Sequence, residues 1–565
     1  MIELAVIRTE GDRRLARSLL RPERSAVVND NLVDGTIVAL DGSVASVLAE
    51  PGSALHALYE LAAELGLDPF FPDEVEREAR AHVGSPGLDE AALVERAALP
   101  FVTIDNEGSR DLDQAIHVAR EGEGFVVRYA LADASYYVRP GGALFEEALR
   151  RGASFYFPAF AIPMLPRALS EGLVSLLPNV PRRALVFEIH LDARGEPTST
   201  RLERARIESR AQLTYPGVQA FYDAGDAHAY AREPWAESLL LLREVGERRL
   251  GLAAERHVVR HRRVNVEVGL RDHRVLELYE AVRTATDNYN EQISLLCNIE
   301  GARLLLDGAG DPGLHPVFRV HPAPEDDRVA AFAEQVDALR TEHGLPEHPW
   351  RWDREAQSLA RYLEGLPHRG SGARVAAAIA RQAILLNARS ELRAEAGEHH
   401  GVGAEAYARF SAPMREIVGI FLHKELLEHV GGAAPGPHDD APRARVIDAA
   451  NRAREIQRRI DDRANLLALD RLFATDLAKP FRERPARAGT VMGVTAAKVY
   501  VRLDAPPIDI KLYVADLERA LSQSLTAGAL ALRAPDGSVV ARVGDAVALR
   551  TFAHERGRYC FLPAK

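Results

Sequence analysis

Three aspartates on one short loop govern what this chain can build: Thr103-Ile104-Asp105-Asn106-Glu107-Gly108-Ser109-Arg110-Asp111-Leu112-Asp113-Gln114-Ala115. Leu99-Pro-Phe-Val-Thr-Ile104 reads as a strand, and the glycine, serine and asparagine that follow let the backbone fold back sharply. Asp111 and Asp113 are two residues apart, so on extended backbone both face one side. A loop that returns Asp105 to that side gathers three carboxylates. Like charges that close raise one another's pKa unless a cation neutralises them, and a hard divalent ion suits an all-oxygen pocket. A solvated acidic loop is the plain alternative. Against it stand an apolar strand, Phe125 to Ala132, that runs into Asp133, and an aromatic, proline-rich stretch from Arg151 to Pro166 that is too rigid for an ordinary linker.

Further motifs follow in order: Ala132-Asp-Ala-Ser-Tyr-Tyr-Val, Phe160-Ala-Ile-Pro-Met-Leu-Pro-Arg-Ala-Leu-Ser, Leu213-Thr-Tyr, Val320-His-Pro and Phe410-Ser-Ala-Pro-Met-Arg. With the aspartate loop they resemble the ribonuclease II and RNase R family of 3′→5′ exoribonucleases, over roughly residues 70 to 565. The resemblance implies a mixed α/β RNB catalytic domain with a large helical portion. It also implies a hydrolytic, Mg²⁺-dependent (Mn²⁺ substituting), processive enzyme that degrades single-stranded RNA to 5′-mononucleotides.

Composition bounds that expectation. A length of 565 residues and 62.0 kDa calls for several units, and a hydrophobic content of 47% supports a substantial core. The net charge of -11 excludes a protein that coats nucleic acid with its whole surface, so a polyanion site must be a local groove. Lysine stands only at 424, 479, 498, 511 and 565, which leaves phosphate contacts mostly to arginine, whose planar fork suits them. Cys297 and Cys560 alone exclude a disulfide scaffold and a thiolate metal site, and fit a reducing compartment. No apolar run approaches membrane-spanning length. A cytoplasmic, monomeric protein with no membrane partner is expected.

The fold class read from the chain is α+β and multidomain. Residues 1–70 form a small N-terminal α/β unit, with a helix-compatible Arg13 to Leu20, a hairpin turning at Asp41-Gly42, and a helix capped by Ser53. A winged helix and a reduced OB barrel both suit this pattern. Residues 71–480 form the catalytic unit, with lead-in helices over 71–100. Helices are expected over Glu277 to Leu306, Glu325 to Glu342, Asp353 to Leu363, Ala373 to Ala396, Ala412 to Val430 and Arg443 to Ala474, with a Gly/Pro/Ala loop over Gly431 to Ala441. Residues 486–565 show five short strands, two of them Ile508 to Val514 and Ser538 to Asp545, in the pattern of an OB-fold platform for single strands. Its aromatics are Tyr500, Tyr513, Phe552 and Tyr559.

By the resemblance, Asp105, Asp111 and Asp113 are metal-binding carboxylates, with Asp113 also catalytic. Gln114 stands where the family places a fourth aspartate, so an amide oxygen replaces a charged ligand there. Arg415 matches the family's catalytic arginine, which holds the scissile phosphate; Glu416-Ile-Val-Gly follows it instead of the family's basic residue, tyrosine and aspartate. Tyr156 matches the aromatic that stacks on the 3′-terminal base. Tyr215 and Glu291 align with residues near the terminal riboses, where a carboxylate accepting from a 2′-hydroxyl selects RNA. His321, His400 and His423 have the wrong spacing for a closed zinc site and read as core or channel-wall residues. Two rival readings remain: an RNA-binding member with a decayed site, suggested by Gln114 and the residues after Arg415, and a metal-dependent phosphodiesterase acting on DNA or small nucleotides.

Overall fold

Near-continuous apolar runs from Phe101 onward build a sheet buried on both faces, whose two ends meet. The computed structural model describes residues 2–11, 13–28, 31–256, 258–259, 265–271, 275–281, 283–308, 313–370, 372–431, 440–555 and 557–564. Its central sheet runs in the order Pro181–Leu191, Gly124–Ala132, Gln114–Glu121, Phe101–Asp105, Pro197–Thr214, Val94–Glu95. Pro181–Leu191 also pairs antiparallel with Pro197–Thr214, so five of these strands close into a ring. The 18-residue Pro197–Thr214 strand serves both neighbours: its first half pairs with Pro181–Leu191 and its last residues run parallel to Phe101–Asp105. Fully buried Phe101, Phe125, Phe187 and Ile189 fill this core. Val94–Glu95 alone lies outside the ring.

Flanking this ring are two five-stranded sheets of one strand order. In the first, Ser25–Val27, Arg13–Ser18, Ile2–Glu10, Ile37–Asp41 and Val44–Ala49 lie side by side in that order. Arg13–Ser18 is therefore a strand, although its composition is helix-compatible: pairing with Ile2–Glu10 buries Ala16, and that contact decides the conformation. The winged-helix alternative falls with it, because the Ala54–Glu64 helix, capped by the Ser53 hydroxyl, comes after all five strands. In the last sheet the order is Asp509–Tyr513, Lys498–Leu503, Arg487–Val494, Ala546–Glu555, Arg558–Pro563. The Ser538 to Asp545 segment contributes Val539–Arg542 to a separate three-stranded sheet, and the fifth strand is Arg558–Pro563.

The helical portion begins at Ala236–Glu255. Residues 277–281 belong to a hairpin, Asn265–Arg271 with Val275–Ala281, and the helix expected there starts at Ala285, behind a capping box of Thr284 and Asp287. The helix expected to reach Ala396 ends at Ile384, and the one expected from Ala412 starts at Ile417. Asp353 to Leu363 yields helix only from Leu359. Most of the Gly431 to Ala441 loop lies outside the described residues. The 38-residue helix Asp440–Leu477 ties the molecule together: Val446 and Ala449 pack in the central core, Ala453 and Ile460 against Leu58 and Phe155, and Phe473 in the core of the last sheet. Among the described residues no helix is long and apolar enough to cross a membrane.

Candidate active site

The aspartate loop spans the gap between two neighbouring strands of the ring. Asp105 ends the Phe101–Asp105 strand and Gln114 begins Gln114–Glu121. Gly108, at φ +81°, makes the reversal that an L side chain would resist. The loop is then pinned from outside. Ser175 Oγ accepts from the Leu112 N–H at 3.0 Å and donates to the Arg110 carbonyl at 2.7 Å, while Gln212 Nε2 donates to the Ser109 carbonyl at 2.7 Å. Thr214 pairs with Asp105 in parallel register, which sets Tyr215 beside that aspartate at the start of the next helix.

Asp113 is fully buried and faces the segment after Phe410. Its Oδ1 accepts the Met414 N–H at 2.8 Å and its Oδ2 accepts from Arg415 Nε at 2.5 Å. Burial pushes its pKa up to about 6, against the pull of Arg415 and of the Met414 N–H. Burial also raises Asp111, and neighbouring Asp105 adds to the rise while Arg415 opposes it. Burial by itself would lower the Arg415 pKa, but Asp113, Tyr156, Asp105 and Asp111 together hold it well above the ordinary value. One guanidinium thus stands in the field of all three aspartates.

Tyr156 is 44% exposed, with its hydroxyl 3.5 Å from Asp111 Oδ2. Gln457 on the long helix holds its backbone through both the N–H and the carbonyl. Tyr215 sits at the other edge of the cluster, where its hydroxyl accepts from Asn290 Nδ2 at 3.2 Å. Glu291 turns elsewhere and pairs with Arg283 at 2.8 Å. The sequence reading missed Asn290, its neighbour, as the residue that reaches Tyr215. Gln114 is joined at both ends of its amide: Oε1 accepts the Tyr129 hydroxyl and Nε2 donates to the Ser411 carbonyl at 2.5 Å. Glu416 pairs with Arg409 at 3.0 Å, and Arg409 Nη1 also reaches Ser411 Oγ. Neither Tyr129 nor Ser411 carries a local sequence signal for this role. Buried His423 stacks on Phe410, and His321 lies among His399 and His400 with one ring nitrogen accepting the Gly401 N–H.

Among the described residues no three acidic, imidazole or thiolate groups converge tightly enough to enclose an ion. Asp105 and Asp111 nevertheless form no ion pair within 4 Å among those residues, and the raised Asp111 beside a second carboxylate is a donor set that favours a hard cation. Asp105 and Asp111 are the two carboxylates left open toward such an ion, and both oxygens of Asp113 are engaged behind them.

The ring of strands thus carries the acidic loop beside a half-buried arginine. The RNB domain family matches residues 95–431, and the chain belongs to that family. Ribonuclease R of Escherichia coli is 28% identical over 492 residues, covering 83% of this chain and 57% of that protein. The chain spans about half the length of the curated relatives it matches. Among solved structures, Mycoplasma genitalium RNase R in complex with ribose-methylated single-stranded RNA matches with a TM-score of 0.80 at 18% identity, covering 100% of this chain and 89% of that one. Yeast Ssd1, a pseudonuclease, matches with a TM-score of 0.62 at 12% identity over 92% of this chain and 65% of that one.

Proposed function

We propose that the chain is a hydrolytic, divalent-metal-dependent, processive 3′→5′ exoribonuclease that degrades single-stranded RNA to 5′-mononucleotides. It acts as a cytoplasmic monomer, with residues 1–70 and 486–565 as RNA-contacting units around a catalytic unit at 71–480. The observation that carries this reading is the convergence of Asp105, Asp111, Asp113, Arg415 and the half-exposed ring of Tyr156. Asp105 and Asp111 would hold the ion, Mg²⁺ or Mn²⁺, while Asp113, expected from the resemblance as a third ligand, has both oxygens engaged by the Met414 N–H and Arg415 and would have to give one up to join them. When bound, the ion would supply an activated water and neutralise charge at the leaving 3′-oxygen. Arg415, oriented by Asp113, offsets charge that builds on the scissile phosphate. Tyr156 offers its ring face to the terminal base, a contact indifferent to sequence. Tyr215, on the far side of Asp105, lies where a terminal ribose would pass. Glu291, paired with Arg283, would have to exchange partners to reach a 2′-hydroxyl.

The rival reading, an RNA-binding protein without turnover, draws on the neutral amide of Gln114 and on the presence of this fold in a pseudonuclease. A 5′-labelled single-stranded RNA and a DNA of the same sequence, each incubated with Mg²⁺ or Mn²⁺ and resolved on a denaturing gel, separate the readings. A ladder shortening from the 3′ end of RNA alone is expected. RNA bound but left intact under both metals would sink the enzyme reading, and equal cleavage of DNA would point to a general phosphodiesterase.

A further inference from the structure

We infer that Gln114 is a positioning residue: its amide locks the Ser411–Arg415 segment, and through it the Arg415 guanidinium, onto the aspartate loop. The inference rests on the exoribonuclease reading, and on a set of contacts that the metal chemistry does not use. Gln114 pairs with Leu131 across the sheet, and the side chain of Tyr129 lies diagonally next to it on the same face. The ring of Tyr129 is buried, so its hydroxyl needs an acceptor there, and Gln114 Oε1 provides one. The other end of the amide donates to the carbonyl of Ser411, 297 residues away in the chain. Ser411 is itself fully buried and held on its remaining sides. Asn298 Oδ1 accepts the N–H groups of Phe410 and Ser411 at 2.8 and 3.1 Å, and Asn298 Nδ2 donates to Ser411 Oγ at 3.0 Å.

Four residues on from Ser411, Asp113 takes the Arg415 Nε–H and the Met414 N–H. Two consecutive residues of one strand start, Asp113 and Gln114, therefore grip the two ends of one five-residue segment. A neutral amide suits the first grip and an ionised carboxylate does not. The amide accepts from Tyr129 and donates to a carbonyl at once, whereas a carboxylate has no donor and would set a negative charge against the Ser411 oxygen. With that grip lost, Asn298 still fixes the Phe410 and Ser411 N–H groups and the Ser154 N–H still donates to the Arg415 carbonyl at 2.9 Å, but only Asp113 is left tying the segment to the aspartate loop. A displacement of about 1 Å at such a group costs on the order of a hundredfold in rate.

The test is steady-state degradation of a defined single-stranded RNA by the full chain, with Gln114→Glu as the isosteric variant. A 10- to 100-fold lower kcat is expected, about the cost of a shifted catalytic group, with KM, RNA affinity by fluorescence anisotropy and the Mg²⁺ concentration for half-maximal rate all within about twofold of wild type. In an Arg415→Ala background the same change should cost almost nothing further, because its effect runs through the arginine. Tyr129→Phe, which keeps the amide but removes its outer anchor, should lower kcat several-fold and covers the case in which Gln114→Glu does not fold. A shift of tenfold or more in the Mg²⁺ requirement would instead make Gln114 a metal ligand and overturn the inference. Additive losses in the double variant, or unchanged kcat in both single variants, would overturn it too. If wild type itself leaves RNA intact, the exoribonuclease reading fails first; if wild type degrades RNA and only these patterns are missing, the positioning role alone falls.

Discussion

The two sides of the acidic cluster are built on opposite terms. On one side Asp113 is sealed from solvent, receives two hydrogen bonds and faces a guanidinium at 2.5 Å, with Gln114 anchored next to it. On the other, Asp105 and Asp111 sit on the bend of the loop, partly open and without a cation within 4 Å among the described residues. The closed side holds charges whose positions must not change between substrates. The open side leaves unneutralised charge for something that arrives and departs. Preorganisation and exchange thus divide between residues two apart in sequence, because the chain passes into the ring between Asp111 and Asp113.

Removing the closed side's charge should have the largest effect. Asp113→Asn is expected to reduce turnover about a thousandfold or more, the scale of a lost transition-state stabiliser, while RNA affinity by anisotropy stays near wild type. Substantial remaining activity would mean the open side is sufficient alone. Next is Arg415→Ala, expected to lower kcat by about 100- to 1000-fold and to destabilise the fold by about 3 kcal/mol in denaturant titrations, because it leaves Asp113 buried without its partner. A loss of activity with unchanged stability would show that the pair relaxes freely and the closed side is less rigid than its geometry.

Acidity gives a smaller, graded contrast. Asp113 is raised to about 6 by burial, so its charged form is lost as pH falls through that value. Activity measured as kcat/KM should therefore drop about tenfold per unit below pH 6 and level off above about 7. A profile flat to pH 5 would place the rate-limiting acid on the open side. The smallest change belongs to the rim. Tyr156→Ala should raise KM about tenfold, the worth of one base–aromatic stack, whereas Tyr156→Phe should be nearly silent, since the hydroxyl lies 3.5 Å from Asp111.

Local chemistry made much of this legible from the chain. The Ser53 cap and the bend of the aspartate loop are each decided within a few residues and stand as expected, while the hairpin expected to turn at Asp41-Gly42 turns one residue later, at Gly42-Ser43, with Asp41 paired to Val44. Arg13–Ser18 was not legible, because a short stretch that suits either conformation is settled by the strand it meets. The late start of the helix at Ala285 did carry a signal, the Thr284–Asp287 capping box, which the apolar periodicity upstream obscured. In the site, the resemblance supplied Asp105, Asp111, Asp113, Arg415 and Tyr156, and these are gathered in space. The supports behind them were less legible: Tyr129 and Asn298 are ordinary core residues until the fold is formed, and Ser411, although inside the Phe410 to Arg415 motif, shows its contact with Gln114 only once segments 297 positions apart are joined.

The ring of strands beneath the loop bears on how the site withstands strain. A strand in an open sheet can slip by one residue at its free edge, and each slip turns every side chain to the opposite face. In a closed ring a strand that slides disturbs the neighbours on both of its sides; here the joint between Phe101–Asp105 and Gln114–Glu121 is the thinnest, a single pair of Val102 with Ile116. Asp105, Gln114 and Thr214 all stand at ends of such interlocked strands. The spacing among these three residues is therefore set by the pairing of the ring and not by the helices packed around it.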